Sequence, residues 1–283
     1  MFKNLIELTK VRIGFLNCTT TIIGFYLGAQ GNIDYLLLSY LVIGTLLSST
    51  GSSVMNNVFE SESDKLMNRT KNRVLPTKKI SINFAKFLGI SFIFSGLLIL
   101  YLKVNLLTCI LSLVTIFSYL FLYTPLKRKS WLNTSVGAIP GAIPPLGGWT
   151  AATNSLDWGG IAVFLILFFW QHPHFYSIAY MYKEDYKNAG LKMLPVIDNG
   201  VKRTVLHIFL HALILIPIST LPFFLGFSGR VYFVGAYILS NIYMLLCLPF
   251  ILEQTVDNAR LIFKISIYYF PLLLFLIAAD LRV

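Results

Sequence analysis

Three side chains with oxygen donors recur at one-turn spacing in the segment NNVFESESDKLMNRTKNR, residues 56–73: Asn56, Glu60 and Asp64. Spaced i, i+4, i+8, they share one face of a helix if the helix reaches that far, and Glu62 then points elsewhere. An amide oxygen and two carboxylates in a row suit Mg2+, which takes oxygen ligands and keeps waters and substrate phosphates in its shell. The chain holds only 12 acidic residues, so three of them in this short stretch is a concentration that asks for a use. Lys65, Arg69, Lys71, Arg73 and Lys78 follow directly. Arg69 and Arg73 are again one turn apart, and a guanidinium fork matches phosphate oxygens. The segment suggests a metal ion handling a polyanion. The competing reading is a solvated helix end with balanced charges. Asn56 argues against it, because it still lies in an apolar run, where polar side chains default to function.

Further chemistry-bearing residues lie downstream. Tyr123, Lys127 and Arg128 belong to YTPLKRKSW, where Pro125 is expected to stop a helix. The basic pair can hold phosphate oxygens or anchor the chain to anionic lipid. Glu184 and Asp185 form a second acidic pair. His172 and His174 sit in WQHPHF, about 200° apart on a helix, so at most one faces a shared cavity. His207 and His211 share a helix face. A histidine beside a substrate can orient it, move a proton or meet a haem iron. In NTSVGAIPGAIPPLGGWTAA, Gly137 and Gly141 either let helices approach closely or belong to a broken helix lining a cavity.

The elements that must position these residues are membrane spans. Hydrophobic residues make up 56% of the chain and charged residues 12%, about half the charged share of a soluble domain. Apolar runs long enough to cross a bilayer recur along the chain, and nine are expected: roughly 11–30, 34–57, 82–102, 104–124, 133–152, 158–181, 204–226, 231–251 and 261–280. With nine spans, 20 of the 23 Lys and Arg fall on one side; Lys103, Arg230 and Arg282 fall on the other. The basic side is expected to be cytoplasmic, with the N-terminus there. The long loops share that side, so the functional mouth is expected at the cytoplasmic face. The net charge of +11 is thereby a topology signal and not a nucleic-acid footprint. Cys18, Cys109 and Cys247 lie in apolar runs with no metal-binding spacing and read as packing residues.

Taken together, these motifs resemble the UbiA-type intramembrane prenyltransferase superfamily. The first segment is similar to its aspartate-rich motif N-x-x-x-D-x-x-x-D. RTKNR, YTPLKR, GAIPGAIPPLGGW, WQHPHFYSIAYMYKEDYKNAGLKMLPV and the early LTKVR resemble its protohaem IX farnesyltransferase branch, over about residues 8–203. The later spans add only hydrophobicity. The resemblance implies an all-α, polytopic membrane protein, residues 1–283 forming one domain. Its nine transmembrane helices would make a bundle with a cytoplasmic active-site mouth, in a bacterial cytoplasmic (inner) membrane. It implies transfer of a farnesyl group from farnesyl diphosphate to a vinyl group of haem b, giving haem O, with Mg2+ as cofactor. By position, Asn56, Glu60 and Asp64 would hold the first metal and Asp185, with Glu184, the second acidic site. Asn56, Arg69, Arg73, Lys127 and Tyr123, with Arg128 beside them, would hold the diphosphate. His174, Asp64 and Asp185 would be catalytic, with His172, His207 and His211 as other haem-proximal candidates. Phe169, Trp170 and Phe175 are candidates to shelter the allylic cation. The partners implied are the two substrates, the lipid bilayer and haem A synthase or terminal oxidase assembly factors. Glu60 stands where Asp is usual, and Tyr182 and Tyr186 stand where other members carry Asp. Two other classes compete: a sister prenyltransferase using a quinone precursor or other aromatic acceptor, and a non-enzymatic haem-handling membrane protein.

Overall fold

The computed structural model describes residues 2–281. Arg282, one of the three cations expected on the outer side, lies outside the described residues. The regular elements of the described backbone are helices, in the order α1 (Phe2–Thr9), α2 (Val11–Ala29), α3 (Tyr35–Asp64), α4 (Ile82–Ile99), α5 (Leu106–Phe117), α6 (Thr124–Lys129), α7 (Asn133–Thr153), α8 (Trp158–Met181), α9 (Lys183–Asn188), α10 (Leu194–Ile197), α11 (Lys202–Phe224), α12 (Arg230–Leu252) and α13 (Val256–Ala279). Two π-helical stretches, Leu100–Val104 and Ser118–Tyr123, extend α4 and join α5 to α6.

Among the described residues, seven helices are long and apolar enough to cross a bilayer: Tyr35–Asp64, Ile82–Val104, Leu106–Lys129, Trp158–Met181, Lys202–Phe224, Arg230–Leu252 and Val256–Ala279. The chain is an integral membrane protein. The other two expected spans, α2 and α7, are helical along their length but less apolar. Small residues serve the face on which the two helices pack against one another. A Cβ on Gly24 would overlap the Pro145 carbonyl, and one on Gly148 would overlap the Thr21 carbonyl, so the two backbones touch directly.

Local chemistry sets the helix ends. Asp34, Ser81, Asn105, Asp157 and Thr255 each accept a hydrogen bond from a backbone N–H in the first turn that follows. Pro125 does not stop its helix, contrary to expectation. The π-helical turn before it relaxes the spacing, so the proline ring is accommodated and the helix runs on to Lys129. The helix α3 has 30 residues, about 45 Å at 1.5 Å per residue, against an apolar slab of about 30 Å. The helix is thus about 15 Å longer than the slab, and its last turns carry Glu60 and Asp64.

Helices α8, α11, α12 and α13 share the largest apolar cluster, which includes Tyr176, Ile208, Tyr232, Phe250 and Tyr269. A buried hydroxyl chain runs through it: Tyr232 donates to the Ser219 carbonyl at 2.6 Å, Ser219 Oγ meets Ser240 Oγ at 2.7 Å, and Ser240 meets Tyr269 Oη at 2.9 Å. Such bonds hold helices together where lipid supplies no hydrophobic drive.

Candidate functional site

A cavity of about 590 Å3 opens between α2, α3, α5, α7 and α8. Its charged end is built by the end of α3 and by α6. The helix continues to Asp64, so Asn56, Glu60 and Asp64 do share a face, and all three line the cavity. Glu62 points away, largely exposed and paired with Lys65. Lys127 Nζ bonds Glu60 Oε1 at 2.6 Å and lies 4.4 Å from the centre of the Tyr123 ring. Arg73 Nη1 bonds Asp64 Oδ2 at 2.8 Å. Arg69 also lines the cavity, with its guanidinium against the rings of Tyr182 and Tyr186.

Lys10 is a member that sequence reasoning missed. The backbone turns left-handed at Lys10 (φ 49°), breaking α1 from α2. Its ammonium reaches Asn56 Oδ1 at 3.2 Å, while Asn56 Nδ2 donates to Thr124 Oγ1 at 3.0 Å. Burial, reinforced by the Arg73 charge, lowers the Lys10 pKa to about 8. The only signal was a lysine between two apolar stretches in LTKVR. Four cations (Lys10, Arg69, Arg73, Lys127) face two carboxylates (Glu60, Asp64) at this end, a surplus of two positive charges. Such an end attracts a polyanion.

The walls differ from the mouth. Asn17, Ser48, Ser49, Ser52, Ser112 and Thr115 give one side a band of hydroxyl and amide groups. Trp170, Gln171, His174 and Phe175 of α8 form another side. Tyr119 and Tyr123 stack at 5.6 Å beside the charged end. The α7 glycines serve this cavity: a Cβ on Gly137 would meet the Tyr123 ring at 2.6 Å, and one on Gly141 would overlap Gln171 Oε1. They make room for lining side chains, while Gly24 and Gly148 provide the close helix approach.

Several expected site residues lie elsewhere. Arg128 is exposed and does not line the cavity, because it leaves α6 on the solvent side while Lys127 turns inward. Asp185 accepts from the Arg69 N–H at 3.2 Å and from Asn68 Nδ2 at 3.4 Å, so it caps the loop after α3 and stays out of the lining. Tyr186 lines the cavity instead, with Arg69 Nη2 3.4 Å from its hydroxyl. Of the WQHPHF pair, only His174 faces the cavity. His172 is fully buried between helices, with Nε2 3.1 Å from Ser135 Oγ, and its ring stacks on His211 at 3.8 Å. His207 packs against Trp131 and His211. Phe169 packs on His211 and leaves the lining to Trp170 and Phe175.

Among the described residues no three His, Cys, Asp or Glu side chains converge as a metal cage. The charged end nevertheless fits a hard cation that takes most of its ligands from a bound anion and water. Asp64 Oδ1 is buried with no hydrogen-bond partner, an acceptor one helical turn from Glu60.

Comparison with known proteins fits this architecture. The model of the UbiA prenyltransferase family matches residues 17–270. A protoheme IX farnesyltransferase from Solibacter usitatus is 42% identical over 287 aligned positions, covering 98% of each chain. One from Aquifex aeolicus is 39% identical, covering 95% of this chain and 92% of its own. Among solved structures, a digeranylgeranylglyceryl phosphate synthase superposes with a TM-score of 0.82 at 19% identity, over 99% of this chain and 98% of its own. A UbiA homologue from Archaeoglobus fulgidus, bound to DMAPP and Mg2+, gives 0.70 at 17% identity, over 97% and 99%.

Proposed function

The chain belongs to the UbiA prenyltransferase family, and from that premise we propose that it transfers the farnesyl group of farnesyl diphosphate to a vinyl group of protohaem IX (haem b), forming haem O. One observation carries the reading: the charged end with Glu60, Asp64 and Arg73 and the aromatic wall with Trp170 and His174 line a single cavity. A diphosphate donor and a flat aromatic acceptor then meet in one space.

Glu60 and Asp64 would hold Mg2+ through their carboxylates, joined by Asn56 Oδ1 once Lys10 turns to the diphosphate. Bound there, the ion supplies charge neutralisation to the departing diphosphate. Arg69, Arg73, Lys127 and Lys10 counter the same charge, and Tyr123 holds Lys127 in place beneath its ring. As the C1–O bond breaks, positive charge develops on the farnesyl C1. The faces of Tyr119, Tyr123 and Trp170 can shelter it. The vinyl group of haem b attacks C1, and the new cation beside the porphyrin takes up water and releases a proton. The products are haem O, diphosphate and a proton. Asp185 acts in this reading through the loop that carries Arg69.

The clustering of 20 of 23 cations on one side supports a bacterial inner membrane protein with the N-terminus and the charged end at the cytoplasm. The product would pass to haem A synthase or terminal oxidase assembly factors. The test is incubation of membranes containing the protein with haem b and farnesyl diphosphate, with Mg2+ or with chelator. Mass spectrometry should find hydroxyethylfarnesyl haem only with metal. Transfer to a quinone precursor with none to haem would overturn the acceptor assignment.

A further inference from the structure

The helix α13 contributes more than hydrophobicity. Ser266 is fully buried, and its Oγ lies 2.6 Å from the Phe263 carbonyl and 2.7 Å from His174 Nδ1. A hydroxyl has one proton, and a carbonyl can only accept. With the Ser266 proton on Phe263, the shorter of the two contacts, Ser266 Oγ accepts from His174 Nδ1. That fixes the ring proton on Nδ1. Among the described residues no carboxylate contacts the ring, whose neighbours are Trp170 at 5.1 Å, Phe175 at 5.2 Å and Phe263 at 5.3 Å. His174 lines the cavity and Ser266 does not, so Nε2, with a free lone pair, is the edge left to the cavity.

The support is itself held. Trp170 Nε1 donates to the Ser266 carbonyl at 2.9 Å, and the Trp170 ring stacks on His174 at an interplanar angle of 20°. Trp170 and His174 are one turn apart on α8, and each bonds the same residue of α13. The imidazole is thus fixed in tautomer, in tilt and in face, as metal-ligating histidines are when their other nitrogen donates to a fixed acceptor.

We infer that His174 Nε2 is an axial ligand to the iron of the acceptor porphyrin, and that Ser266 is the positioning residue that holds it in the ligating tautomer. The inference rests on the proposed haem acceptor. It makes the enzyme read the metal as well as the ring, so metal-free protoporphyrin IX should bind more weakly than haem b. The other three histidines are packed away from the cavity and have no part in it.

The experiment uses the purified full chain with haem b and no prenyl donor, read by optical and resonance Raman spectroscopy. Wild type should show a histidine-ligated iron. His174→Ala should lose that signature and recover it with added imidazole, while His172→Ala should keep it. Ser266→Ala should lower haem affinity about tenfold and shift the iron–nitrogen stretch, and Ser266→Thr, which keeps the hydroxyl, should restore both. The iron–nitrogen stretch would not respond to a merely structural loss. An unchanged histidine signature in His174→Ala, or a wild type whose iron carries no histidine, overturns the inference. If His174→Ala does not fold, an iron–nitrogen stretch unmoved by Ser266→Ala overturns it equally. Parallel turnover with farnesyl diphosphate separates the two layers. Farnesylated haem from a wild type without iron–histidine ligation leaves the acceptor assignment standing and removes only the ligand, whereas absence of any prenylated haem removes the acceptor assignment first.

Discussion

The sharpest perturbation of the charged end is Asp64→Asn, which keeps the shape and removes the charge. Asp64 is 1% exposed, and one of its oxygens is bound to Arg73 while the other has no partner. Breaking a fully buried ion pair by removing one member costs about 3–5 kcal/mol. Here the Arg73 side chain is 28% exposed and can turn to water, so the stability loss should fall to about 1–2 kcal/mol. The effect on chemistry should be larger. An acceptor aimed at a cation that neutralises a leaving group is worth about 3 kcal/mol in the transition state, a rate loss of about 100-fold. The assay is turnover at saturating Mg2+, measured beside thermal unfolding of the same detergent preparation. A second readout is ligand stabilisation: Mg2+ with farnesyl diphosphate should raise the unfolding temperature of wild type and do so much less in Asp64→Asn. Near-wild-type turnover in a folded Asp64→Asn protein would refute the assignment of the free carboxylate oxygen to metal.

Glu60→Gln and Lys127→Met should each destabilise by about 2–3 kcal/mol, because each strands a partly buried charge, and the double variant should be more stable than either single one while remaining inactive; unfolding midpoints and turnover of the three check this. Gly137→Ala should cost about 1–3 kcal/mol and displace the Tyr123 ring, lowering turnover in membranes in which the protein still accumulates. Asp157→Ala should cost about 1 kcal/mol by uncapping α8, with activity retained. Although burial pushes the Asp157 carboxyl upward, hydrogen bonds from Ser155 and the Gly159 and Gly160 N–H groups outweigh it, so its folded pKa lies below the usual 3.8. Its contribution is then complete above pH of about 3.8 and lost as pH falls through the depressed value; acid unfolding of wild type against Asp157→Ala, with the two curves converging at low pH, checks the sign.

The helices were legible because lipid demands long apolar runs. The expected span 158–181 coincides with Trp158–Met181, and 11–30 differs from Val11–Ala29 by one residue. The Asn56, Glu60, Asp64 row was legible because side-chain direction along one helix follows from period alone. The same rule put His172 and His174 on different faces, and the family resemblance, not the period, chose His174. What the sequence could not show were partners on other helices. Lys10 reaches Asn56 across 46 residues of chain through a left-handed turn, and Ser266 reaches His174 across 92 from a span that otherwise reads as apolar filler. Asp185 shows the same limit: its place beside Glu184 in sequence does not tell that its carboxylate meets the Arg69 N–H and Asn68.

Lys127 and Arg128 show where the limit lies. In sequence they are adjacent cations at a membrane edge, and either serves equally as a lipid anchor or a phosphate ligand. In the fold, Lys127 has a side chain 15% exposed, bound to Glu60 and set against the Tyr123 ring, whereas Arg128 is exposed. Burying an ammonium costs several kcal/mol unless an opposite charge meets it, so Lys127 stays inside only because Glu60 is there. The Tyr123 ring against which Lys127 rests can lie where it does only because Gly137 has no Cβ to exclude it. The inward turn of Lys127 thus rests on Glu60 and on the space that Gly137 leaves for Tyr123, properties of packing between segments that neither basic residue carries in its own neighbourhood.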